Sequence, residues 1–167
     1  LSYFINLSGC PFLLDHYTKF INHEDHAKFY KRSNVAHGDI LISMIGANRG
    51  MACIVDDDRV FSIKNVGLVK PSNAIKQNFL LYFLKSSQAA EYVRSRSKGG
   101  AQEFIGLTEL RGFPVFFPEL IGQVMLVAKL DKLSAETQRL ESIYQRKLTA
   151  LDELKKSLLH QAFSGEL

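Results

Sequence analysis

"ELIGQVMLVAKLDKLSAETQRLESIYQRKLTALDELKKSLLHQAFSGEL", Glu119 to Leu167, closes the chain, and its apolar spacing is unlike anything upstream. Leu126, Leu130, Leu133, Thr137, Leu140 and Tyr144 recur in alternating steps of four and three, the seam of a coiled coil. From Leu140 the steps run four, four, three through Tyr144 and Leu148 to Leu151, an eleven-residue segment that relaxes the left-handed supercoil. Heptad steps resume at Leu154 and Leu158. No proline interrupts the run, Gly122 lies in its first turn, and Gly165 stands where a helix C-cap belongs. About 45 residues at 1.5 Å each predict a rod of roughly 67 Å. A domain of roughly 115 residues has a diameter on the order of half that length. The leucine stripe is therefore expected to pair with another helix, from a second copy or from a longer chain, and not to fold back on its own domain.

Upstream the pattern changes every ten or so residues, which predicts an α+β organisation: a mixed domain over residues 1–117, then the coiled-coil helix over 118–167. "DILISMI" (Asp39 to Ile45) and "MACIVDD" (Met51 to Asp57) flank "GANRG" and read as a hairpin with a five-residue loop. "RVFSI" and "NVGLVK" are expected to continue the same sheet as a meander. Asn78 is the expected N-cap of a helix carrying Phe79, Leu80, Phe83 and Leu84, and a second helix is expected from Ser87 to Arg96. "SKGGAQE" (Ser97 to Glu103) reads as a loop, Thr108 as the cap of a short turn, and "FPVFFP" as extended chain. Before about residue 28 only a strand near Tyr3 to Leu7 is legible.

Composition narrows the functional classes. Residues 1–115 hold 14 Lys/Arg against 10 Asp/Glu, and residues 116–167 hold 7 of each, so the whole net charge of +4 sits on the first domain. An anionic partner would prefer that surface. The richest apolar run, "NFLLYFL" (Asn78 to Leu84), stops at Lys85, far short of the roughly 20 residues a bilayer span requires. Cys10 and Cys53 form neither a disulfide framework nor a metal spacing and read as buried thiols in a reducing, cytoplasmic compartment. The chain opens on Leu1 without a signal-peptide layout, which reads as a trimmed form or a fragment.

Catalytic constellations are scarce. "GANRG" lacks the Lys-Ser/Thr of a phosphate loop, and "SKGGAQEFIG" does not open a helix after a strand. Nor does the chain carry the glycine-rich cofactor loop and Asn/Asp-Pro-Pro-aromatic pocket of an adenine methyltransferase. "HEDH" (His23 to His26) is the best metal candidate, yet it has no distant ligands and reads as a solvated turn. Asp56, Asp57 and Asp58 read as a turn between strands, and Cys10 with His16 lacks an orienting group for a nucleophile. The expectation is a chain without catalysis or metal.

Three segments look different: "YKRSN" (Tyr30 to Asn34), "GANRG" and "RSRSKGGAQ" (Arg94 to Gln102), read as loops that combine Arg or Lys with Asn, Gln or Ser. Arg forks onto guanine and Asn or Gln pairs with adenine edges, while Lys and Ser hold phosphates. Asn48, Arg49, Arg96, Lys98 and Gln102, followed by Lys31 and Arg32, are the expected DNA-binding residues. The competing reading is a coiled-coil oligomerisation module whose first domain binds a ligand other than DNA.

"HGDILISMIGANRGMACIV", "FLLYFLKSSQ", "GGAQEFIGLTELRGFPVFFP", "ELIGQVMLVAKLDKL" and "YQRKLTALDELKKSLLHQAFSGEL" together resemble the specificity (HsdS) subunit of type I restriction-modification systems, from about residue 37 to the end. The most specific part is the Pro-x-x-x-x-Gln helix start with the closing leucine-rich segment. The resemblance implies a target recognition domain followed by a spacer helix. A full subunit of that family carries two such units, with the helices antiparallel and each domain reading half of a split DNA target. This chain has one unit, so it resembles a half-subunit or a C-terminal piece. The resemblance further implies a non-catalytic specificity subunit whose methyltransferase and restriction partners hold S-adenosylmethionine, ATP and Mg. Target-reading residues vary with the target in this family, so the DNA-binding residues named above rest on loop chemistry alone.

Overall fold

The structure is a computed structural model that describes residues 2–5, 19–63 and 65–165. Cys10, His16 and the expected strand residues Asn6 and Leu7 lie outside the described residues. In chain order the elements are β1 (Ser2–Ile5), β2 (Lys19–Ile21), α1 (His23–Ser33), β3 (Ile40–Ser43), β4 (Ala52–Ile54), β5 (Phe61–Ile63), β6 (Val66–Val69), α2 (Gln77–Leu84), α3 (Ser87–Arg96), α4 (Leu107–Arg111) and α5 (Leu120–Ser164). The fold is α+β, ending in a long helix, as the sequence patterns predict. Two compact units divide the chain, Leu1–Val124 and Met125–Leu167.

The expected hairpin is present: β3 and β4 pair antiparallel with Ile40 opposite Ile54 and Leu41 opposite Cys53. The single meander is not. β6 joins β3 on its other edge, giving a sheet ordered β4-β3-β6, whereas β5 leaves it and pairs parallel with β1 in a second sheet ordered β2-β1-β5. Burial gives the reason. Phe61, Ser62 and Ile63 are all buried: beside β1, at the edge of the second sheet, Phe61 and Ile63 pack in the core with Leu41, and the Ser62 hydroxyl bonds to His26 of α1. The departure is made at the acidic triplet, where the Asp57 carboxylate accepts from the Arg59 backbone N–H at 2.8 Å and from its guanidinium. That guanidinium holds the Asp57 carboxyl below its ordinary value.

β3 is buried along its length, which is why "ILIS" does not alternate. Leu41 packs with Val35, Cys53, Val55, Phe61 and Ile63 on one side. Ile40 and Ile42 pack with Ala52, Leu80 and Leu84 on the other, under Leu110, Phe113 and Val115. Gly67 sits opposite Ile42, where a Cβ would lie 2.7 Å from the Ile42 side chain and 2.9 Å from Leu110. The glycine inside β6 thus makes room for α4.

Helix α1 corrects two expectations. "HEDH" is not a turn but its first turn, and "YKRSN" is not a loop but its last turn with a cap. Asn22 accepts from the Asp25 backbone N–H at 2.7 Å and donates to the Asp25 carboxylate at 2.9 Å, a reciprocal cap. Asn34 closes the helix in the left-handed conformation at φ 45°. α2 begins after Lys76, two residues before the expected cap, and α3 is capped by Ser86, which accepts from Ala89 N–H. Thr108 lies inside α4, after a Gly106 cap.

α5 runs 45 residues without a break, and Gly165 follows it at φ 79° in the left-handed region. Every seam residue named above is solvent-exposed, with the seam leucines and Tyr144 ranging from 37% (Leu130) to 66% (Leu133). No helix of the described residues is long and apolar enough to cross a membrane.

Candidate nucleic-acid interface

Two of the three polar segments come together. The β3–β4 loop and the segment after α3 are joined by backbone hydrogen bonds: Gly46 N–H donates to Glu103 C=O at 2.9 Å, and Ile105 N–H to Met44 C=O at 2.9 Å. Lys98 and Phe104 exchange reciprocal bonds of 2.8 Å, which close 98–104 into a small loop. Gly99 permits it at φ 114°, where a Cβ would meet the Gln102 carbonyl oxygen at 2.6 Å.

Arg49 ties the pair together. Its Nε donates to Ser97 Oγ at 2.9 Å, its Nη1 to its own loop at Gly46 C=O at 3.2 Å, and its Nη2 is ion-paired with the Glu103 carboxylate. This planar three-way fork needs a guanidinium, because an ammonium cannot present three donors in one plane. Sequence reasoning singled out Arg49 as a DNA contact and missed Glu103 as its partner. The only signal was an acidic residue closing an otherwise basic loop.

Asn48 lies exposed at the tip of the β3–β4 loop, its carbonyl accepting from Met51 N–H at 3.0 Å. Gln102 is exposed on the facing loop. Arg96, in the last turn of α3, lies over the Tyr92 ring at 5.6 Å. Lys98 reaches Glu109 of α4 at 3.2 Å. Glu109 is held below its ordinary value, first by its own backbone N–H and then by Lys98. The tether is accordingly present at neutral pH and is lost as pH falls through the depressed value, below the ordinary glutamate range. Lys31 and Arg32 sit apart: both are exposed in the last turn of α1, Arg32 over the Phe29 ring, and no hydrogen bond among the described residues joins them to the paired loops.

Replacing Arg49 by Lys is expected to lower stability by about 1 kcal/mol, since the pair is partly exposed. It should speed hydrogen exchange of the amides between residues 98 and 104. Unchanged exchange there would show that the backbone bonds alone hold the loops.

A basic unit that presents two fastened polar loops and runs into a leucine-striped helix defines the class, a recognition module on a helical arm. The chain belongs to the type I restriction modification DNA specificity domain family, whose model matches residues 7–149. It is 29% identical over 139 residues to the type I restriction enzyme EcoBI specificity subunit of Escherichia coli, covering 83% of this chain and 29% of that protein. It is also 32% identical over 97 residues to the StySPI specificity subunit of Salmonella potsdam, covering 58% of this chain and 21% of that protein. The chain thus spans less than a third of the length of these relatives.

Among the described residues, no group of three or more His, Cys, Asp or Glu side chains is placed to hold a metal ion. His23 is exposed, and His26 instead shares a 2.9 Å hydrogen bond with the buried Ser62 hydroxyl.

Proposed function

We propose that the chain is one DNA-reading half of a type I specificity subunit. The 46–50 and 97–104 loops read base edges through Asn48, Gln102 and Arg96, with Lys98, Lys31 and Arg32 on phosphates. Arg49 holds the two loops in a fixed relation and offers its remaining N–H groups to DNA. The observation that carries this reading is the Arg49–Glu103–Ser97 fastening in a chain of a DNA-specificity family. Polar loops with no role in recognition have little need of a shared rigid anchor.

The rest follows from the same reading. Helix α5 pairs with a second such helix, from another copy or from the other half of a longer chain, and sets the distance between two half-sites. The assembly works in the cytoplasm, directing methyltransferase and restriction subunits to a split target. S-adenosylmethionine, ATP and Mg belong to those subunits, and this chain performs no chemistry.

Selection of bound duplexes from a random pool, with the methyltransferase subunit present, is expected to enrich a split motif of fixed spacing. An unenriched pool would refute the reading, and a module for some other ligand would show no salt-dependent DNA retention. Asn48→Ala or Gln102→Ala should alter the enriched bases. Lys31→Ala should weaken all sequences alike and reduce the salt slope by about 1.

A further inference from the structure

Between the β3–β4 loop and helices α2 and α3 lies a cleft of about 420 Å³. The buried Ala52, Leu84 and Val93 contribute its apolar floor, Arg49, Lys85 and Arg94 its charged rim, and no acidic residue lines it. The wall closes because Gly50, at φ 89°, brings the loop onto α3, where a Cβ would stand 3.3 Å from Val93. We propose that this cleft seats one sugar-phosphate step of the DNA backbone, with the phosphate on Lys85 and Arg94 and the deoxyribose on the apolar floor. The inference rests on the DNA-reading function proposed above and assigns it two residues outside the expected DNA-binding set.

The three cations are not equivalent. Arg49 is committed to Glu103, Ser97 and Gly46 and serves as wall. Among the described residues Arg94 is ion-paired only with Glu91, one turn back on an exposed helix face, and water and salt screen such a pair enough for a phosphate to replace it. Lys85 follows the last turn of α2, is exposed, and has no ion pair among the described residues. An apolar floor under a cationic rim suits a ligand that alternates a compact apolar body with a negative charge, and the DNA backbone is such a ligand. Because Arg49 lines the cleft and also fastens the reading loops, a phosphate seated here fixes their register on the bases.

The test is fluorescence anisotropy of the full chain with a labelled duplex of random sequence, titrated between about 50 and 200 mM salt. Lys85→Ala and Arg94→Ala should each weaken binding about tenfold and reduce the salt slope by about 0.9. Lys85→Arg should restore both, and Ala90→Glu, which places a carboxylate on the exposed lining of the cleft, should weaken binding further than either. Lys147→Ala, on α5, should change nothing. In pool selection the Lys85 and Arg94 variants should retain the wild-type motif, since phosphate contacts position the protein without reading sequence. Salt-dependent binding by the wild type that Lys85→Ala, Arg94→Ala and Ala90→Glu all leave unaltered would overturn the cleft assignment alone. Absence of binding by the wild type, with and without the methyltransferase subunit, would overturn the DNA reading as well.

Discussion

A chain carrying both Leu133→Asp and Leu140→Asp is expected to run as a monomer in light scattering, against a paired species expected for the wild type. Both leucines lie on the seam, and both are exposed in the single chain, so the substitutions disturb no core within it. Pairing would bury two carboxylates per helix against apolar neighbours, at several kcal/mol each. Each 1.4 kcal/mol is tenfold in the dissociation constant, so the loss should exceed about a thousandfold. Lys147→Ala should leave the mass unchanged and excludes a general effect of altering the helix. An unchanged mass for the double aspartate variant would sink the seam assignment. If the wild type alone is monomeric, the same substitutions should abolish pairing with the other half of a longer subunit.

The second large effect is expected at Gln123→Leu. Gln123 is fully buried, the sole buried residue of α5, and each polar group of its carboxamide is used. Its Oε1 accepts from the Lys76 backbone N–H at 2.8 Å, at the start of α2, and its Nε2 donates to the carbonyls of Ala74 and Pro118 at 2.9 Å each. Leucine fits the volume but leaves one N–H and two C=O groups unanswered, at about 1–3 kcal/mol for each group that water cannot reach. A loss of about 3 kcal/mol is expected, seen as a fall of roughly 10 °C in Tm. Gln123→Glu should fall between wild type and Leu at acidic pH, where the protonated acid answers Lys76 and donates to one carbonyl, and should cost at least as much as Leu at neutral pH, where a buried carboxylate faces both carbonyls. A Tm within about 2 °C of wild type for Gln123→Leu would show that the seat relaxes to admit water.

The Pro-x-x-x-x-Gln signature contributes to the family resemblance in the sequence, yet its physical role is visible only in the fold. The glutamine fastens the start of the helix to a loop and a helix start 47 to 49 positions earlier. The Arg49–Glu103 pair is similar, with 54 positions between its partners. Helix α1 was missed for another reason. It has no fully buried residue and few apolar side chains, Ala27, Phe29 and Tyr30, so no long apolar stripe marks it, and its strongest local marks were the Asn22–Asp25 cap and the acidic-first, basic-last order of its charges.

Sequence alone determined the elements whose signal is local and repeated. The 45-residue helix follows from steps of three and four, the β3–β4 hairpin from two apolar runs about a short loop, and the stop at Gly165 from a residue that accepts positive φ. Those patterns act between neighbours in the chain, and many conforming residues make each one redundant. Only the tertiary structure decided that β5 leaves the β3–β6 sheet for β1, that Glu103 answers Arg49, and that Gln123 anchors α5. Each of these choices is made jointly by segments far apart in the chain, whose burial and hydrogen bonding exist only after the chain has closed on itself.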